Sequence, residues 1–308
     1  MSLLDELYAR FSNRRPVFDR GWGGPVGAWP ELVPASVALE WEGTGLVRRV
    51  SFPSPRPGLP EVASLAHAEW WMPPGATPDT PVCLHFAATG DQGYLRRRLV
   101  AWPLLRRGIG SVLLENPFYG VRRPEGQAGS HLRHFSDLWA MGTAAVDEGL
   151  ALLAWFSARG YRRLGVAGVS MGGQIAALVA AHWGRPVAVA ACASPHCAEV
   201  VFTRGVMRLG CDWEALGGFE VAMPRMRAIL DATDLRAFPR AAAPEAAVLV
   251  AGRHDSYVPP WSAELLHRHW PGSTLRWLPT GHVGAVVFYQ GAFRRAVMDA
   301  FGGLPGGG

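Results

Sequence analysis

The sequence predicts an α/β protein whose mostly parallel sheet carries helices on both faces, and three observations support this. Short apolar runs alternate with longer stretches of helical periodicity along the 308 residues. One run, Leu164 to Val169, breaks through Gly168-Val169-Ser170-Met171-Gly172 directly into an alanine-rich helical stretch. Two later runs lead into Gly252 followed by Asp255 and into Gly281-His282, so reactive side chains stand where parallel strands end.

The elements follow in order. Met-Ser-Leu-Leu-Asp-Glu-Leu-Tyr-Ala-Arg-Phe at the start has acids where a secretory signal needs a basic start, and it reads as a short amphipathic helix. A Pro/Gly-rich stretch covers 21–35. Strands are expected near 45–52, 64–72, 81–86, 110–115, 164–168, 187–193, 246–251 and 274–278, which makes an eight-stranded sheet. The first two adjoin without a helix and are expected to be antiparallel at one edge. Helices are expected near 94–107, 135–158, 171–183, 260–270 and 286–301. Residues 195–243 interrupt the alternation between the sixth and seventh strands and are expected to form a cap insertion within a single domain spanning 1–308. The final Gly-Gly-Leu-Pro-Gly-Gly-Gly reads as a frayed tail.

The Gly-x-Ser-x-Gly pattern has a mechanical meaning. A tight strand-to-helix reversal leaves no room for Cβ atoms beside the strained serine, and it lifts the hydroxyl into reach of a base. Asp255 stands just past a buried strand, as an acid partner or as a helix N-cap. His282 follows Gly281 as a base or as an ordinary loop histidine. The order Ser170, Asp255, His282 is the one used by the α/β-hydrolase fold. Serine is a weak nucleophile at neutral pH, so His282 would take its proton while Asp255 holds the ring. Oxyanion donors are expected at the backbone N–H of Met171 and of Ala87 or Ala88 after the strand at 81–86.

Several segments carry a closer resemblance. Leu84-His85-Phe86-Ala87-Ala88-Thr89-Gly90-Asp91, Arg96-Arg97-Arg98, Leu114-Glu115-Asn116-Pro117-Phe118-Tyr119-Gly120 with Arg122-Arg123-Pro124, and Ser136-Asp137-Leu138 resemble the α/β-hydrolase domain-containing protein 18 family, from about residue 50 to the last helix. The resemblance implies a serine-hydrolase fold, acyl-ester or lipid substrates, and Ser170, Asp255 and His282 as the triad.

Composition narrows the field. With 49% hydrophobic residues the chain can bury a large core, and no run of eighteen apolar residues suggests an integral membrane segment. Cys83, Cys192, Cys197 and Cys211 lack Cys-x-x-Cys spacing, so free buried thiols and a cytoplasmic location are expected. All 30 basic residues are arginine, and the net charge of +5 is dispersed, so nucleic-acid binding is not indicated. His131-x-x-His134 and His267-x-His269 lack a third ligand, and Gly21-Trp22-Gly23-Gly24 lacks a preceding strand, so neither a metal nor another cofactor is expected. At least one of Arg96–Arg98 is expected to pair with Asp91 or Glu115. In the cap, Met207, Trp213 and Phe219 are expected to contact an acyl chain. The expected function is a serine hydrolase of small-molecule esters or lipids. A peptidase or amidase of the same fold, or a catalytically silent binding module, are the alternatives.

Overall fold

The structure, a computed structural model, describes residues 2–12, 15–32 and 34–305. Along the chain, α1 (Leu3–Ser12) precedes β1 (Glu40–Glu42), β2 (Val47–Pro53), the one-turn α2 (Glu61–Ser64) and β3 (Leu65–Trp71). Alternation then begins: β4 (Val82–Phe86), α3 (Leu95–Leu105), β5 (Gly110–Leu114), α4 (Phe135–Ala158), β6 (Leu164–Val169), α5 (Met171–Trp183) and β7 (Ala188–Cys192). After α6 (Ala198–Thr203) and α7 (Phe219–Leu230) come β8 (Ala247–Gly252), α8 (Pro260–His269), β9 (Thr274–Leu278), α9 (His282–Phe288) and α10 (Gln290–Gly302).

The sheet runs β1-β2-β3-β5-β4-β6-β7-β8-β9. β1 to β3, and β3 against β5, are antiparallel; β5 through β9 are parallel. All residues of β4, β5, β7 and β8 are buried, which is why those strands read as unbroken apolar runs rather than as alternations. β2 sits near the edge and alternates, burying Val50 and Phe52. Helices α4 and α5 build the core on one face of the sheet with Phe86, Val146, Leu150, Phe156, Ile175 and Val179. On the other face α3 and α10 pack through Val100, Leu104, Phe293, Val297 and Phe301.

Eight strands were expected, and nine are present among the described residues. The ninth, β1, has three exposed residues, too short for a periodicity to show. The first two expected strands, β2 and β3, are antiparallel but separated by α2. The helix expected at 286–301 is two helices, because His282 already starts one behind Gly281 and Tyr289 ends it. Nothing at Tyr289 breaks helical periodicity in the sequence. The last three glycines of the tail lie outside the described residues.

Among the described residues no helix is long and apolar enough to cross a membrane. The four cysteines are free and buried.

Candidate active site

The C-terminal ends of the parallel strands bring the predicted residues to one end of the sheet, where loops are free of ladder hydrogen bonds. Ser170 follows β6 with φ 56° and ψ −124°, a conformation that costs a non-glycine residue on the order of 1–3 kcal/mol. Its N–H donates to the Cys192 carbonyl at 2.8 Å, and its own carbonyl accepts from Gly173 and Gln174, so both neighbours hold the strained turn. Gly172 explains the pattern's last position. A Cβ there would lie 2.3 Å from the Phe86 carbonyl oxygen. Gly172→Ala is therefore expected to destabilise the chain by about 1–3 kcal/mol, seen as a lower thermal midpoint. A wild-type midpoint would refute the packing argument.

Asp255 lies on the loop after β8. Its Oδ1 accepts from the N–H groups of Tyr257 at 2.8 Å and Val258 at 2.7 Å. Its Oδ2 accepts from His282 Nδ1 at 2.7 Å, an arrangement that would leave Nε2 to act as a base. His282 is buried and lies at the N-terminus of α9. Burial works against its charged form, but the Asp255 charge, the Asp255 hydrogen bond and the Asp5 charge together raise its pKa above the ordinary histidine value. Among the described residues no hydrogen bond joins Ser170 to His282. Such contacts are commonly loose in free enzymes and tighten around substrate.

The loop at 87–93 is braced from several sides by the two segments that dominate the sequence resemblance. Asp91 pairs with Arg97 at 3.0 Å, and Arg97 also donates to the Leu114 and Gly93 carbonyls. Glu115 accepts from Gly93 N–H at 2.8 Å, Tyr119 Oη accepts from Gly90 N–H at 3.3 Å, and Asn116 Nδ2 donates to the Ala87 carbonyl at 3.3 Å. Arg97 thus meets the expected pairing with Asp91, whereas Arg98 pairs with Glu69. His85 is held neutral: burial, then the Arg97 charge, pushes its pKa down to about 3, and its Nε2 lies 3.1 Å from Ser111 Oγ. His131 lies 3.7 Å from Asp19, and His267 lies 2.9 Å from Ser273 Oγ.

A cleft of about 610 Å³, open mouth included, adjoins Ser170. Met171, Thr89 and Gln174 line it beside the serine, and Phe18, Leu132, Leu138, Val201, Phe202 and Met207 make most of its wall apolar. Ala87 is fully buried, while Ala88 lines a neighbouring cleft with Arg96, Arg97 and Gln290. Of the three expected cap contacts, Met207 reaches the Ser170 cleft. Trp213 and Phe219 instead form an edge-to-face pair with each other, centroids 5.1 Å apart, and are not among its lining residues.

The family model for alpha/beta hydrolase domain containing 18 matches residues 33–220 and 217–302. The chain belongs to that family. This α/β-hydrolase domain-containing 18 member is also similar in fold to solved esterases. The ferulic-acid complex of Est1E from Butyrivibrio proteoclasticus shares 17% identity at a TM-score of 0.54, over 77% of this chain and 96% of that one. The acetyl xylan esterase from Paenibacillus sp. R4 shares 16% at a TM-score of 0.57, over 96% and 94%. Acetyl xylan esterase 1 from Thermoanaerobacterium sp. JW/SL YS485 shares 13% at 0.54, over 97% and 94%. At these identities the likeness is one of fold.

Sequence reasoning missed Asp5. It lies on α1, wholly buried, with its carboxylate against the His282 loop. An acid in the first turn of a surface helix ordinarily answers the helix dipole, so no local signal marks it.

Proposed function

We propose that this chain is a serine hydrolase that cleaves carboxylic esters, with lipid or other acyl esters as substrates, through an acyl-enzyme. The observation that carries the reading is the 2.7 Å Asp255–His282 pair at the same end of the sheet as a serine strained at φ 56°. Ser170 Oγ attacks the ester carbonyl as His282 takes its proton. The imidazolium, stabilised by Asp255, returns that proton to the departing alkoxide. A water, deprotonated by the same imidazole, then releases the acid and frees Ser170. The oxyanion is met by the Met171 N–H at the start of α5 and by an N–H of the braced loop, Ala87 or Ala88.

The cleft supports this substrate class. Its wall is mostly aliphatic and aromatic, which favours an acyl chain over a sugar or a peptide. Residues 195–243 act as its cap: Pro195, Ala198, Val201, Phe202 and Met207 supply one side of it. Buried Phe202, Leu216, Ala222, Met226 and Leu230 pack this segment onto Phe18, Tyr119 and Phe135, so it carries its own core and the cleft wall together. Trp213 packs against that core from outside, and Phe219 packs on Trp213. The esterase names of the fold relatives agree with ester rather than amide chemistry.

A fluorophosphonate probe is expected to modify the folded protein at Ser170, located by peptide mass mapping. Matched pairs of p-nitrophenyl esters and p-nitroanilides of increasing chain length are expected to show ester turnover only. Folded protein that resists the probe points to a silent module, and anilides cut as fast as esters point to a peptidase.

A further inference from the structure

Helix α1 docks with its apolar side outward. Leu3, Leu4, Leu7, Tyr8 and Phe11 share one arc and are all exposed, while the edge turned inward carries Asp5 and Ala9. Of its apolar side chains only the small Ala9 is buried, against Tyr257 and Val258, so hydrophobic burial accounts for little of where the helix sits. Hydrogen bonds account for more. Asp5 Oδ2 accepts from the Ser256 N–H at 3.0 Å and from the His282 N–H at 2.9 Å, and Oδ1 accepts from the Val283 N–H at 2.9 Å. The Ser2 N–H reaches Ser256 Oγ at 3.1 Å. Gly281 permits the approach, because a Cβ there would lie 2.5 Å from Asp5 Oδ2 and 2.3 Å from Ser2 Cβ.

We propose that Asp5 is a positioning residue of the hydrolase, a second carboxylate that ties the Asp255 loop to the His282 loop and sets the charge around the base. The proposal rests on the serine-hydrolase reading. Ser256 adjoins Asp255, so one buried carboxylate grips the backbone beside the acid and the backbone of the base itself. The Asp255–His282 bond needs both loops in register; the β8–β9 ladder ends at Gly252 and Leu278, and the Arg253 N–H to Leu278 carbonyl and His254 N–H to Thr280 carbonyl bonds carry it only to the residue before Asp255. The bonds from Asp5 extend that register past Asp255 to Ser256 and onto His282, from a helix more than 250 positions away in sequence.

The second effect is electrostatic. The charged groups acting on His282 are Asp255, on the loop after β8, and Asp5, on α1; the Tyr257 ring lies 5.0 Å from the imidazole. Both carboxylates favour the imidazolium. A general base must be neutral, so turnover falls as pH drops through the raised histidine pKa. Removing the Asp5 charge moves that acid limb to lower pH.

The test compares wild type, Asp5→Asn and Asp5→Glu for kcat and KM against pH on a p-nitrophenyl ester, with NMR titration of the His282 imidazole. For Asp5→Asn the expected result is kcat lower by on the order of tenfold to a hundredfold with KM little changed, as for misplaced catalytic groups, and an acid limb and imidazole titration displaced to lower pH. Asp5→Glu keeps the charge but not the reach, so its limb stays near wild type while kcat drops. A wild-type profile and titration in Asp5→Asn would overturn the proposal. Asp5→Ser keeps one acceptor without amide donors and replaces the Asn variant if that does not fold; unfolding of both makes Asp5 purely structural and also overturns it. If wild type hydrolyses no ester and resists the fluorophosphonate, the serine-hydrolase reading fails instead, while the NMR titration still reports the Asp5 charge.

Discussion

Ser170→Ala is expected to lower ester turnover on the order of a million-fold, as loss of the nucleophile does in serine hydrolases of other folds, and to abolish fluorophosphonate labelling. The change should leave the fold intact. Among the described residues the Ser170 hydroxyl has no hydrogen-bond partner, and the backbone bonds that hold the turn do not involve it. Alanine also meets the positive φ no worse than serine does. The residual rate would reflect oxyanion binding alone, roughly 10³–10⁴ over water. The decisive measurement is kcat/KM on one ester for variant and wild type at equal purity, with melting curves overlaid. A folded variant retaining a few per cent of wild-type turnover would remove Ser170 from the chemistry.

The largest expected effect on stability lies away from the reacting groups. Arg122 and Glu148 are both fully buried and form a two-point pair, with Nη2 to Oε1 at 2.6 Å and Nη1 to Oε2 at 2.9 Å. Arg122 further donates to the carbonyls of Ala63 and Glu115, and Ser54 Oγ donates to Glu148 Oε1 at 2.6 Å. Every donor and acceptor of the pair is thereby engaged across α2, β5 and α4. Glu148→Ala leaves a buried guanidinium without its counter-charge, and the expected loss is about 3–5 kcal/mol. Arg122→Met with Glu148→Leu removes both charges and should recover most of that loss, because an apolar pair of similar volume is often neutral or better. Urea unfolding of the wild type and these two variants checks this. A single variant costing under about 1 kcal/mol would show that the site relaxes or admits water.

The two expectations differ in what they needed. Ser170 stands in a local pattern whose glycines have steric reasons, so the elbow was legible before any coordinates. The strands β4, β5, β7 and β8 were legible for the same kind of reason: double-sided burial writes continuous apolar runs such as Val82–Phe86 and Ala247–Gly252. The exposed three-residue β1 leaves no such trace. Which residues of 195–243 face the cleft was not legible either. Met207, Trp213 and Phe219 are equally apolar, and only packing sends Met207 toward Ser170 and turns the other two onto each other.

By itself, the sequence determined the α/β alternation, the elbow at Ser170 and the chain order of the three candidate catalytic residues, since each is written in neighbouring residues through periodicity or tight-turn sterics. Tertiary structure alone decided that Asp5 reaches the His282 loop, that Glu115, Asn116 and Tyr119 brace the segment after β4, and that Arg122 meets Glu148. The physical reason is range. A hydrogen bond between groups tens or hundreds of positions apart requires only a compatible donor and acceptor, and such residues occur throughout any chain. Their pairing acquires meaning only when the fold carries them out of water together, where an unmatched partner becomes costly.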